Sequence, residues 1–233
     1  SIEVQHILTS KTKTFNTRTE FKDGLKSRNK PFNQEDWLIK DIQVAEPETH
    51  SFQVVKQQVK SISEEVSAEL IEGYIGGKNN FRLTLDLPVL YKGNRTDMIR
   101  PLNLDSTKKY IINKYKGGLI EGHEVDDHVV IRFHELKGEG HDPVICTIDK
   151  DQKGCVGTKY FDWTGVKPQI IDVPKFGYLE HDKAKNKVNG LGLNFYCYQM
   201  LKGDNSDNYS PSDLHNQRFG DVSVVKYLNE AKT

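Results

Sequence analysis

The chain has 233 residues, enough for one domain with a sizeable core, and Lys plus Arg equals Asp plus Glu at 33 each, so net charge alone implies no partner. A balanced total can still hide acids gathered in one site with bases around it. Cys146, Cys155 and Cys197 are odd in number and lack C-x-x-C spacing, giving no signal for a disulfide framework or a zinc site. With no signal-like segment and no apolar run of about 18 residues, the sequence reads as a reducing, soluble, intracellular protein.

Residues 1–17 alternate loosely, with Ile2, Val4, Ile7, Thr14 and Phe15 around Ser10-Lys11-Thr12-Lys13, which predicts a hairpin. Residues 20–40 carry Lys22, Lys26, Arg28, Lys30 and Lys40 with little periodicity. They read as a solvated surface extension or, functionally, as a basic flap beside a nucleic-acid backbone. Phe52, Val55, Val59, Ile62, Val66 and Leu70 recur at three- and four-residue steps and predict a long helix with one apolar, core-packing stripe. Gly73-Tyr74-Ile75-Gly76-Gly77 reads as a short strand running into a loop.

Phe81-Arg82 leads past Pro88 to Tyr91-Lys92-Gly93-Asn94-Arg95. Two bases three residues apart around a glycine suit anion contact, Lys as a point charge and Arg as a bidentate fork. Exposed basic loops are more often merely solvated. Ser106 is placed to cap a short helix through Tyr115, with Tyr110, Ile111 and Ile112 inward and Gly117-Gly118 ending it.

The next predicted helix ends at Gly138 and begins with Glu124-Val125-Asp126-Asp127 ahead of the apolar run Val129 to Leu136. Three carboxylates in four residues concentrate like charge. The bland reading is a solvated first helical turn, favoured there by a few tenths of a kcal/mol up to ~1. Two later clusters weigh against it. Asp149-Lys150-Asp151 follows a strand-like run, Pro143 to Ile148, and Gly203-Asp204-Asn205-Ser206-Asp207-Asn208 follows an apolar helix over Leu191–Lys202. Strand ends and helix starts are where α/β folds gather functional groups, and hard cations such as Mg²⁺ or Mn²⁺ take oxygen ligands of this kind. His123 and His128 flank the first cluster and read as structural or solvent-facing.

Tyr160-Phe161-Asp162-Trp163 and Gln169 to Val173 are two further strands, Lys183 to Gly190 is polar and turn-rich, and Val222 to Leu228 is a terminal helix after Arg218-Phe219-Gly220. Strands alternating with helices predict an α/β fold with a mainly parallel central sheet flanked by helices.

The ordered series Phe81-Arg82, Tyr91 to Arg95, Glu124 to Asp127, Thr147 to Asp151 and Gly203 to Asn208 resembles the flap endonuclease family, and within it the 5′→3′ exonucleases of tailed phages. Each motif alone is weak; five in order over residues 74–228 are specific. The resemblance implies a PIN-like nuclease domain over 1–208, with 1–48 as a basic extension and hairpin, and a partial helix-hairpin-helix over 209–233. It implies hydrolysis of DNA phosphodiesters near 5′ ends or branched junctions, RNA of RNA–DNA hybrids included, by a cytoplasmic monomer in the infected bacterial cell with replication proteins as partners.

Carried over residue by residue, Glu124, Asp126 and Asp127 resemble the first-metal cluster and Asp149 a ligand near both Mg²⁺ or Mn²⁺ ions. Asp151, Asp204 and Asp207 resemble the second-metal group. Lys92 matches the lysine beside the scissile phosphate, Arg95 the neighbouring phosphate-binding arginine, and Arg82 an adjoining base. Gly220 and the helix after it match the remainder of the helix-hairpin-helix, which grips duplex backbone through main-chain N–H groups and a K⁺ ion.

The departures are an absent apolar opening strand with its Asp, Gly77 where a strand-end Asp is usual, and Ser210-Pro211-Ser212-Asp213 where Gly-rich spacing is usual. They leave two expectations: a chain beginning downstream of the natural start, which the difficulty of deleting a central strand favours, or a catalytically weakened module that binds nucleic acid. A Mg²⁺-dependent hydrolase of small substrates is a third, disfavoured by bases outside the acidic pocket.

Overall fold

Ile2 and Val4, on one face of the opening strand, bury almost completely, and the alternation forms the expected hairpin: β1 (Ile2–His6) pairs antiparallel with β2 (Thr12–Phe15). This computed structural model describes residues 1–44, 46–87, 89–93, 100–165, 168–204, 206–211 and 219–231. The chain divides into two compact units, Ser1–Gln53 with Ile99–Thr107, and Val54–Met98 with Lys108–Thr233.

In the first unit, the stretch expected as a solvated basic extension is ordered. Thr17 accepts a hydrogen bond from the Glu20 amide and starts α1 (Arg18–Lys26), and Phe21 and Leu25, one turn apart, bury on the Ile2 and Val4 side. β3 (Trp37–Asp41) then pairs antiparallel with the other edge of β1. The lysines lie on the remaining polar faces, so weak periodicity hid a short amphipathic helix.

α2 (Glu48–Glu65) takes the predicted place of the long helix. Phe52, Val55, Val59 and Ile62 are half-buried along it, none fully buried; Val66, just past its end, is half-buried too, and Leu70 farther on is 56% exposed. In the second unit, β4 (Glu72–Asn80) crosses through α3 (Leu104–Lys114) to β5 (Lys116–Gly122), which pairs parallel to it. Two expectations change here. The helix starts at Leu104, with Ser106 inside its first turn donating its hydroxyl to the Asn103 carbonyl. Gly117-Gly118 do not end a helix but open β5. At Gly117, φ is +130° and a Cβ would stand 2.5 Å from the Gly73 carbonyl, so the close strand pairing requires glycine there.

α4 (Val125–Gly138) has the predicted bounds. The run expected as a buried strand over Pro143–Ile148 contributes only β6 (Ile145–Cys146), and Ile148 is 59% exposed. β6 pairs parallel with β7 (Lys159–Phe161), which pairs antiparallel with β8 (Ile170–Asp172), over a core of Phe133, Ile145, Tyr160 and Val173. The polar stretch after Lys183 is the turn and second strand of a hairpin, β9 (Tyr178–Asp182) with β10 (Lys187–Leu191). Leu179, Val188 and Phe195 close a further core beneath α5 (Gly192–Lys202) and α6 (Asp221–Glu230).

The architecture is mixed α/β, and the expectation of one mainly parallel sheet needs correction. Among the described residues the strands form four small sheets, with parallel pairing only between β4 and β5 and between β6 and β7. Short connections force antiparallel hairpins, whereas the α3 crossover permits the parallel pair. Among the described residues no helix is long and apolar enough to cross a membrane.

Candidate functional site

Glu72 at the start of β4 fixes the helix that carries the first acidic cluster. Its carboxylate accepts from Arg132 Nε at 3.0 Å and Nη2 at 3.1 Å and from the Tyr74 hydroxyl at 2.6 Å. The Arg132 bonds hold its carboxyl below the usual range, against burial. β5 ends at Gly122 and α4 begins at Val125, so Glu124 falls at the strand-to-helix junction.

Glu124 occupies the N-cap position yet makes no capping bond with its side chain. Its carboxylate instead accepts from Arg82, from the Tyr91 hydroxyl and from Lys92 Nζ at 2.7 Å, with the side chain 12% exposed. Burial pushes this carboxyl up, but the Lys92 and Tyr91 bonds outweigh it and hold it low. Arg82 also reaches Asp127 at 3.1 Å. Tyr91 is buried, and burial together with its bond to Glu124 raises its phenol.

Lys92 takes φ +54°, an unusual conformation for a side chain of its size. Its amide donates to the Asp207 carbonyl at 3.3 Å, its Nζ lies 3.7 Å from Asp207 Oδ1, and Asn208 Nδ2 donates to the Leu90 carbonyl at 3.1 Å. These bonds clip the loop of residues 90–93 to the turn after α5. Although burial opposes it, the Glu124 and Tyr91 bonds hold the Lys92 ammonium strongly protonated.

That turn opens at Gly203, φ +83°, where a Cβ would run into the Tyr209 carbonyl. Asp204 and Tyr209 exchange backbone bonds at 2.9 Å. Asp204 Oδ1 accepts from the Ser206 amide at 2.7 Å and Oδ2 pairs with Lys150 Nζ at 2.9 Å. Burial raises this carboxyl and these bonds more than reverse it. Asp149 caps the 3₁₀ turn Lys150–Gly154 by accepting from the Asp151 amide at 3.0 Å, and Asp151 accepts from Gln199 on α5.

Asp126 differs from its neighbours. Burial first, then the charges of Asp149, Glu124 and Asp151, push its carboxyl up to about 6. The charges of Asp149, Glu124 and Asp151, from separate stretches of the chain, thus act on Asp126. Cys155 registers the same field: burial and then Asp151 raise its thiol to about 11. The donors are all hard oxygens with incompletely balanced charge, a chemistry that suits a divalent cation. Among the described residues, however, no three His, Cys, Asp or Glu side chains converge in ligating geometry. Glu124, Asp127 and Asp204 face the chain's own Arg82, Lys92 and Lys150 instead.

Arg95 lies outside the described residues, as do Asn205, Ser212 and Asp213. Gly220 is the N-cap of α6, its φ of −69° open to any residue, and the Tyr198 hydroxyl and Lys202 hold Asp221 just after it. At Gly77 the space of a side chain is filled by the Glu121 carboxylate, which accepts from the Asn79 amide at 2.9 Å. His123 and His128 face each other, Nε2 to Nδ1, at 3.4 Å. Sequence reasoning gave no role to Tyr91, Lys150 or Gln199. The first two stand inside quoted motifs, adjacent to assigned residues, whereas Gln199 on an apolar helix carried no signal.

The fold is similar to that of the T5 D15 protein. The crystal structure of the T5 D15 protein co-crystallised with metal ions matches with a TM-score of 0.51 and 16% identity, over 77% of this chain and 66% of that one. A mutant of the T5 5′-exonuclease matches with a TM-score of 0.48 and 16% identity, over 77% of this chain and 65% of that one. The chain thus spans just under two thirds of the length of these structures. No protein-family model and no curated protein matches the sequence.

Proposed function

We propose that the protein is a Mg²⁺- or Mn²⁺-dependent 5′-nuclease that hydrolyses DNA phosphodiesters near 5′ ends or branched junctions. The observation that supports this reading is the placement of Glu124 and Asp127 at the start of α4 against Arg82 and Lys92, with Lys92 also reaching Asp207, in a fold like that of the T5 D15 protein. Glu124, Asp126 and Asp127 would hold one ion, Asp151, Asp204 and Asp207 a second, and Asp149 would serve both. When bound, such ions supply positive charge to the phosphate oxygens, an acidified water and stabilisation of the leaving oxygen.

The chain's own residues do the rest. Lys92, fixed by its backbone bond to Asp207, presents an ammonium that adds positive charge where the transition state gains negative charge. Arg82 and Tyr91 orient Glu124. Arg95 contacts a neighbouring phosphate, and residues 209–233, with Gly220, grip duplex backbone as part of a helix-hairpin-helix with K⁺. The polymer substrate, its replication partners and the cytoplasmic setting belong to the same reading.

A second reading, a catalytically weakened nucleic-acid-binding module of this fold, is favoured by one observation. Position 77 carries no carboxylate, and Glu121 fills that space while bonded to the Asn79 amide. Radiolabelled 5′-flap and 5′-recessed duplexes, incubated with Mg²⁺, with Mn²⁺ and with chelator, separate the two. Metal-dependent release of short 5′ products supports the nuclease; tight binding without cleavage under every condition supports the module.

A further inference from the structure

Lys92, Arg82 and Lys150 each pair with a carboxylate of the candidate site, but they are held in different ways. Lys92 is a fixture: its backbone is bonded to Asp207, and its side chain is 29% exposed against a Glu124 that is 12% exposed. Arg82 is held by two carboxylates, those of Glu124 and Asp127. Lys150 has neither kind of restraint. Its side chain is 54% exposed and reaches the 17% exposed Asp204 from the solvent side by a flexible stem.

The neighbours of Lys150 are already engaged. Asp149 accepts from the Asp151 amide and Asp151 accepts from Gln199. Asp204 Oδ1 accepts from the Ser206 amide and Oδ2 pairs with the Lys150 ammonium at 2.9 Å, so each Asp204 oxygen has a partner.

We propose that Lys150 is a built-in counter-cation for Asp204, which a divalent metal must displace to use that carboxylate. This rests on the metal-dependent reading above. Before metal binds, the ammonium offsets the repulsion among Asp149, Asp151 and Asp204. On binding, it yields an oxygen that is already positioned by Ser206 and by the Tyr209 backbone bonds. Lys150 thus lowers metal affinity while stabilising the metal-free protein.

The test is Mn²⁺ binding without DNA, followed by the electron paramagnetic resonance signal of free Mn²⁺, on the parent, Lys150→Met and Lys150→Arg. Lys150→Met should bind one class of Mn²⁺ about five-fold more tightly, the worth of one partly exposed charge pair, while Lys150→Arg stays near the parent. In chelator, Lys150→Met should melt lower than the parent, an effect that a purely structural role would share; the tighter Mn²⁺ binding is not shared. Equal affinity in all three proteins, or weaker binding by Lys150→Met, overturns the proposal and leaves the metal reading standing. Absence of Mn²⁺ binding in all three overturns both.

Discussion

Lys92 Nζ stands 2.7 Å from Glu124 Oε1, while the amide of the same residue donates to the Asp207 carbonyl at 3.3 Å. One residue therefore joins the loop before Arg95 to the start of α4 and to the turn after α5. If its ammonium acts on the transition state, Lys92→Ala should lower turnover by a factor on the order of a hundred to a thousand with little change in DNA affinity. Arg95→Ala should instead weaken binding to all sequences and flatten the salt dependence by about one unit of slope. Single-turnover rates and binding at two salt concentrations separate the two; a Lys92→Ala enzyme turning over at the parent rate would sink the assigned role.

Tyr91 donates its hydroxyl to the poorly exposed Glu124 carboxylate. Removing that donor leaves Arg82 and Lys92 in place but one acceptor site unfilled. Tyr91→Phe is expected to cost about 1.5 kcal/mol, measured by urea unfolding with unchanged slope. A parent-like midpoint would mean that the bond contributes nothing net.

Asp126 is repelled by its neighbours in the metal-free protein. Asp126→Asn should therefore raise the melting temperature in chelator by about 2–4 °C while abolishing Mn²⁺-dependent cleavage. A lower melting temperature would show that the carboxylate supports the fold.

The Glu72–Arg132 contact predicts a pH effect. Arg132 depresses the Glu72 carboxyl, so its stabilisation is present above the ordinary glutamate value of about 4.5 and is lost as pH falls through the lower folded value. Glu72→Gln should melt below the parent at pH 7, and the gap should narrow toward pH 3. A gap constant with pH would remove the ion pair from the account.

How much of this was legible before the structure differs by residue. Strong periodicity and end signals placed the opening hairpin, the bounds of α4 and the helix leading to Gly203. The parallel pairing of β4 with β5 was obscured because Gly117-Gly118 looks like a helix stop, whereas glycine is required there by the approach to Gly73. α1 was missed because only Phe21 and Leu25 carry its apolar face. The motifs put forward the acidic residues and Lys92 as candidates. They could not show that Glu124, Asp127 and Asp204 turn to internal cations, since that depends on side chains that are distant in sequence.

The central claim is that carboxylates from separate stretches serve one metal-dependent cleavage, and the cleanest measurement pairs rate with affinity in Asp149→Ala and Asp204→Ala. On a 5′-flap duplex with Mn²⁺, both variants should lose cleavage while binding DNA as tightly as the parent or more tightly, because each removes negative charge near phosphate. Cleavage by the parent that proceeds equally in excess chelator, or variants whose affinity falls in step with their rate, would contradict the account.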